Sequence, residues 1–252
     1  MKRQITIIVL FLIFKLSSAQ ELKTEYQKVV KTFVECIKNN NTNKLQTLIT
    51  YPLRREYPLS DVKDQYEFQK RYNEIFDEKL KKIIIESVIK SDWYAVGCKG
   101  IMLNSGTLWL DCNGRLIAVN YHSDLELSKR TEMVKNDKNS IHESIKYFEE
   151  PILIMETEKF RIRIDKLNNG KYRYVSWSIK SKMSEKPDLI IKNGRWIPEG
   201  NGGNRRYEFD NGNYKYECSI IILGANNTPP AHVIVYKNDD EILNEPAQII
   251  RK

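Results

Sequence analysis

The chain has 252 residues, enough for one large domain or two of ordinary size. Its formal charge is +8, from 41 basic and 33 acidic side chains that are interspersed, and the lack of a clustered basic run argues against a nucleic-acid partner. The histidines, His122, His142 and His232, are scattered, and no metal-ligand spacing, phosphate-cradling glycine loop or Gly-x-Ser-x-Gly elbow is found, so neither metal nor cofactor is expected.

The amino terminus reads as a secretory signal peptide. A basic start, Met1-Lys2-Arg3-Gln4, precedes an apolar run from Ile5 to Phe14 and the small residues Ser17 and Ala19. The run is shorter than the roughly 20 residues a membrane-spanning helix needs, so no transmembrane span is expected. Cleavage is expected after Ala19 and takes Lys2, Arg3 and Lys15 with it. The destination is then periplasmic or extracellular, which permits disulfides.

From Glu21 to Asn39 the residues Leu22, Tyr26, Val29, Val30, Phe33, Val34 and Ile37 recur at three- and four-residue steps, which predicts an amphipathic helix. A short second helix over 43–50 ends at Tyr51-Pro52-Leu53, where proline disfavours helix in the preceding residue. Asp64 followed by Glu67 is a capping pair opening a long helix that bends or restarts near Asp77. Strands are predicted over 93–103, 107–112 and 115–121, giving a three-stranded meander. With a three-residue loop at Asn104-Ser105-Gly106, Leu103 faces Thr107 and Cys98 faces Cys112, which predicts a cross-strand disulfide. Cys36 and Cys218 are expected to be buried singly.

Residues 123–146 are charged and poor in large apolar side chains, and are expected to link an α+β domain over 20–122 to an antiparallel β domain over 147–252. In the second domain Phe160, Ile162 and Ile164 alternate with Arg161, Arg163 and Asp165, the period of a strand with one wet face. The phrase Asn-Gly-x-Tyr-basic-Tyr occurs at 169–174 and again at 211–216, and Asn193-Gly194 and Asn201-Gly202-Gly203-Asn204 supply further turns. A compact sandwich or barrel follows.

Helix, short helix, the Tyr51-Pro52-Leu53 segment, a longer helix and the meander from Trp93 to Tyr121 together resemble the nuclear transport factor 2-like superfamily, which includes ketosteroid isomerase-like and SnoaL-like proteins. The likeness covers residues 21–122 and departs from the pattern in lacking a last long strand. The whole chain also resembles exported proteins of Bacteroidota in which such a region precedes a β-rich one. The superfamily implies a cone of sheet around a helix, with an apolar pocket drawing on Tyr51, Tyr72, Phe76, Trp93, Met102, Trp109 and Tyr121. His122, with Asp92 or Asp111 near it, is the one acid–base arrangement that fits such a pocket.

In the second domain Arg161, Arg163 and Arg173 are expected on one wet face, and Asn201, Asn204, Arg205, Arg206 and Tyr207 in a polar loop with its flank. This composition suits a protein or an anionic glycan partner. The function expected is that of an exported, non-catalytic binding or inhibitor-like protein recognising a protein or polysaccharide of the cell envelope. An isomerase- or cyclase-type enzyme acting on a small apolar ligand and a structural envelope protein are the alternatives.

Overall fold

The computed structural model describes residues 22–200 and 203–250. The predicted signal peptide with its cleavage site, and Asn201 of the polar loop, lie outside the described residues. The fold is α+β, and the described residues divide into two compact units, those up to 49 with 81–120 and 50–80 with those from 121 onward.

The first unit begins with α1 (Thr24–Lys38), whose Val30, Phe33, Cys36 and Ile37 are buried at helical spacing. Asn40, in the left-handed region at φ 47°, follows it, and the Asn41 side chain caps α2 (Thr42–Leu45) by accepting from the Lys44 amide at 3.0 Å. The same unit holds α5 (Ile89–Asp92) and the sheet β1 (Trp93–Ala95), β2 (Ile101–Leu103), β3 (Leu108–Leu110) and β4 (Leu116–Val119), all antiparallel in chain order. Trp93, Ile101, Leu103, Leu108, Leu110, Leu116 and Val119 form its buried face, and Trp93 meets Phe33 edge to face with centroids 6.3 Å apart.

Two expectations are corrected here. The segment 93–103 is a hairpin, not one strand: Trp93 pairs with Leu103, and residues 97–99 make a 3-10 turn between β1 and β2. Gly100, at φ 113°, allows this turn, since a Cβ there would lie 2.2 Å from the Leu110 carbonyl oxygen. The next loop holds four residues, because Leu103 pairs with Leu108 and its carbonyl accepts from both Gly106 and Thr107 at 3.0 Å. A one-residue change of register removes the pairing that would have set Cys98 against Cys112. Cys112 is a free thiol, as are the buried Cys36 and Cys218, so the expected disulfide is not formed.

In the second unit Leu53 pairs with Val62 across a loop, and α3 (Gln65–Ile75) starts at Asp64, whose carboxylate accepts from the Tyr66 and Glu67 amides at 2.9 and 3.0 Å. Glu67 in turn accepts from the Lys63 amide at 2.9 Å, so the predicted capping pair holds. The helical run restarts after Asp77, which accepts from the Leu80 amide at 2.8 Å, as α4 (Glu78–Glu86), whose residues from Lys81 onward belong to the first unit. Residues expected as a charged linker form α6 (Asp124–Ser140), capped by Ser123. No helix among the described residues is long and apolar enough to cross a membrane.

An eight-stranded barrel follows: β5 (Glu150–Glu156), β6 (Phe160–Lys166), β7 (Tyr172–Ser178), β8 (Leu189–Glu199), β9 (Asn204–Asn211), β10 (Tyr214–Ile220), β11 (Ala231–Lys237) and β12 (Asp240–Ile249). The strands run up and down in chain order, and β12 closes on β5. Leu153, Met155, Ile162, Ile164, Tyr174, Ile191, Tyr207, Phe209, Cys218, Ile220, Ala231, Val233 and Ala247 fill the interior at the two-residue period of strands. A second cluster, Ile141, Ile145, Phe148, Val175 and Trp177, covers part of the outside, with Val134 of α6 packed against it. Asn193-Gly194 is not a turn but lies within β8, where the register with β7 shifts and Asn193 adopts φ 66°.

Candidate functional site

The turns after β5, β7, β9 and β11 share one end of the barrel, because strand direction alternates. There the inward faces of the strands leave a cavity of about 340 Å³. Tyr174 of β7, Tyr214 and Tyr216 of β10, and Val233, Val235 and Leu243 of β11 and β12 form its wall. Tyr174 and Tyr216 lie 5.4 Å apart between ring centroids, tilted by 43°, so they offer two ring faces as well as hydroxyls. Burial pushes the Tyr174 and Tyr216 hydroxyls above the usual phenol range, which keeps both protonated and able to donate. The rim is apolar: Phe160 is 36% and Ile242 55% exposed, both on the lining of the cavity. Asp188, the carboxylate of the lining, accepts from the Ser178 amide at 2.8 Å.

The two echoed Asn-Gly-x-Tyr-basic-Tyr phrases supply these tyrosines. Asn211-Gly212 turns the chain into Tyr214 and Tyr216 at this end, and Asn169-Gly170 turns it into Tyr172 and Tyr174 from the opposite end. In the sequence both phrases mark turns and do not place their tyrosines in one cavity, although the alternation with a basic residue sets both tyrosines of a phrase on one face.

The residues expected to line a single cone pocket divide between the two units. Trp93, Met102 and Trp109 belong to the first, where Met102 and Trp109 are register partners on the half-buried face of the sheet. Tyr51, Tyr72, Phe76 and Tyr121 belong to the second. Tyr72 stacks on Phe76 at 5.5 Å, with Phe68 edge-on to both, as packing of α3. Tyr121 donates to Asp77 at 2.9 Å, and burial together with that carboxylate pushes its hydroxyl up to about 12. Burial, then Asp64, pushes Tyr51 up to about 12 as well.

The carboxylate beside His122 is Glu56, at 3.3 Å. Asp92 and Asp111, the partners expected for it, are engaged in their own turns, accepting from the Val88 amide at 2.7 Å and from the Asn113 and Arg115 amides at 2.9 and 2.8 Å.

The expected arginine face is also corrected. Arg163 and Arg173 are buried, at 0% and 2% exposure, and do not meet solvent. Arg163 pairs with Asp165 and, through both terminal nitrogens, with Asp137 of α6 at 2.9 and 2.6 Å. Arg173 bonds Asp165 at 2.6 Å and the carbonyls of Ile145 and Tyr147. The Phe148 ring lies 4.8 Å from the Arg163 guanidinium. Arg161 alone keeps a half-buried position, bonded to Glu156 at 2.7 Å.

Of the polar loop, Asn204 is a strut, accepting from the Ile222 and Leu223 amides at 2.8 and 2.9 Å and donating to the Leu223 carbonyl. Arg206 is held by Glu208 at 2.7 Å and Glu199 at 2.5 Å. Arg205 and Tyr207 are brought together on the wall of a second cavity, at the other end of the barrel. No protein-family model, no curated protein and no solved structure matches this chain.

Proposed function

We propose that the chain is an exported, non-catalytic binding protein whose barrel holds one small, mainly apolar ligand at its open end. The observation that carries this is the tyrosine-walled cavity of about 340 Å³ rimmed by exposed Phe160 and Ile242. Eight strands enclose a space just wide enough either to be filled by side chains or to hold one small molecule. Here the middle is filled by residues such as Phe209, Ile164 and Cys218, and the end is not. Aromatic walls with a few polar groups are the usual composition of such sites.

Export is supported by the basic, apolar and small-residue order of residues 1–19. A small ligand is favoured over a protein or envelope polysaccharide because Arg163 and Arg173, two members of the arginine face that would suit those partners, are sealed from solvent. For the amino-terminal half, the resemblance to the nuclear transport factor 2-like superfamily is part of the same proposal, supported by the order α1, α2, α3, α4 and then a four-stranded meander.

The test is binding of N-phenyl-1-naphthylamine, a neutral probe that fluoresces on leaving water. Enhancement by the native chain, lost in Val235→Trp, which fills the cavity, is the expected result. Equal enhancement by both proteins, or none by either, would remove the site.

A further inference from the structure

We propose that the opposite end of the barrel carries a second ligand site, specific for a small amphipathic monocarboxylate, with Arg205 as the partner of the carboxylate group. It stands apart from the tyrosine-walled site and does not depend on it.

The site lies where β12 meets β5. β12 and β5 pair at Gln248↔Glu156 and Ile249↔Met155, and the Ile250 amide adds one bond to the Ile154 carbonyl at 2.8 Å. Every other neighbouring pair in the barrel shares at least the four residue pairs seen between β7 and β8. A cavity of about 340 Å³ occupies this end, beside the start of β5. Pro151, Ile152, Ile154 and Ile250 give it an apolar side, while Arg205 and Tyr207 give it a polar one.

The charges of the lining do not cancel within the cavity. Glu56, the carboxylate on its wall, is bound by Arg130 at 3.1 Å and faces His122 at 3.3 Å. Arg55 is taken by Glu126, with which it forms a buried pair, and by the Tyr121 carbonyl at 2.9 Å. Arg205 differs: among the described residues no carboxylate pairs with it, and its contacts are the Gly203 carbonyl at 3.4 Å and the Tyr207 hydroxyl. A guanidinium half withdrawn from water without a counter-charge forfeits hydration that an anion restores, and its fork matches a carboxylate in two parallel bonds. Tyr207 supplies a hydroxyl beside that fork. Its burial keeps the phenol protonated, against the smaller opposing pull of Arg205, so it can donate. Arg54, the third arginine of the wall, has an interaction of its own. The Arg205 guanidinium, an adjacent hydroxyl and an isoleucine-lined wall fit a monoanion with a short alkyl body. The planar fork of one guanidinium matches a carboxylate in two parallel bonds, and a dianionic phosphate would bring a second negative charge beyond the one that Arg205 balances.

The experiment is calorimetric titration of the full chain with octanoate, with 1-octanol as the neutral analogue and octyl phosphate as the dianion. Saturable one-to-one binding of octanoate is expected, with little of the alcohol or phosphate. Arg205→Gln should weaken octanoate roughly tenfold or more, and Arg205→Lys, which keeps charge but not the fork, by less. Ile250→Trp, which fills the cavity from the apolar side without touching Arg205, should abolish binding and guards against misfolding of the arginine variants. Val235→Trp, at the far end, should leave octanoate binding intact. The proposal is overturned if octanoate does not bind, if Arg205→Gln and Ile250→Trp bind it as the native chain does, or if the phosphate is preferred.

Discussion

Arg163 and Asp165 sit two residues apart on β6, turn away from the barrel interior, and form a 2.7 Å ion pair with both side chains fully buried. The pair is the centre of a chain of charges, Asp137–Arg163–Asp165–Arg173, that lies between the barrel and α6. Each guanidinium faces at least one carboxylate, and burial pushes the Asp165 carboxyl up by more than the two arginines pull it down.

Asp165→Asn is therefore expected to destabilise the protein by about 3–5 kcal/mol, because it removes from a dry site the carboxylate that Arg173 shares with Arg163, and the remaining Asp137 faces Arg163. The exposed pair Arg195–Asp210, at 2.9 Å, is the control. Asp210→Asn should cost less than about 1 kcal/mol, since surface pairs are screened and mobile. Chemical denaturation of both variants checks the contrast, and equal costs would show that α6 is not held by the buried chain.

The barrel strands, the capped α3 and the restart at Asp77 were legible in the sequence because they rest on local rules of alternation, turn residues and capping. The covered face of β6 was not, since alternation of Ile with Arg reports two environments without saying that the polar one is wet. The missing signal lay on the neighbouring strand. Tyr172 and Tyr174 point inward while Val175 and Trp177 point outward, so β7 is apolar on both faces, the pattern of a strand buried twice. Something had to cover Trp177, and the segment from α6 to Phe148 does. That helix looks like a linker in the sequence because its inward stripe is charged: Glu126, Arg130 and Asp137 recur at helical spacing and meet Arg55, Glu56 and Arg163. Of the sites, the Arg205 and Tyr207 pairing was legible, but the tyrosine cavity depends on barrel closure between β12 and β5, which no local pattern encodes.

Gly194 provides a test of how tightly the barrel is packed. A Cβ at this position would stand 2.2 Å from Phe209 Cε1 and 2.3 Å from its Cδ1, so the ring occupies the space a side chain would need. Gly194→Ala should destabilise the fold by about 1–3 kcal/mol through overpacking. Phe209→Leu removes the colliding ring atoms at its own cost in lost packing. The double variant is expected to be more stable than the sum of the two single costs implies, because the clash vanishes with the ring. Thermal unfolding of the four proteins measures this, and strict additivity would mean that β8 bends away without touching Phe209.

Glu208 sets the acid limit of the barrel's outer face. Burial alone would raise its carboxyl, but Arg206 at 2.7 Å and Arg195 at 2.8 Å outweigh burial and hold it below the 4.5 of an unperturbed glutamate. With the folded value below the unfolded one, unfolding in the acid range takes up a proton, so stability falls as the pH falls. The contribution is fully present above about pH 4.5 and is lost as the pH drops through the folded value. Glu208→Gln should lower stability at neutral pH by about 1–3 kcal/mol, the worth of hydrogen bonds to a charged group, and flatten the decline between pH 5 and 3. Arg206→Gln should leave the carboxylate in place but move its titration upward, which carboxyl NMR reads directly. If that titration stays where it is in the native chain, Arg195 alone holds the charge, and the steep acid limb should then disappear with Arg195→Gln instead.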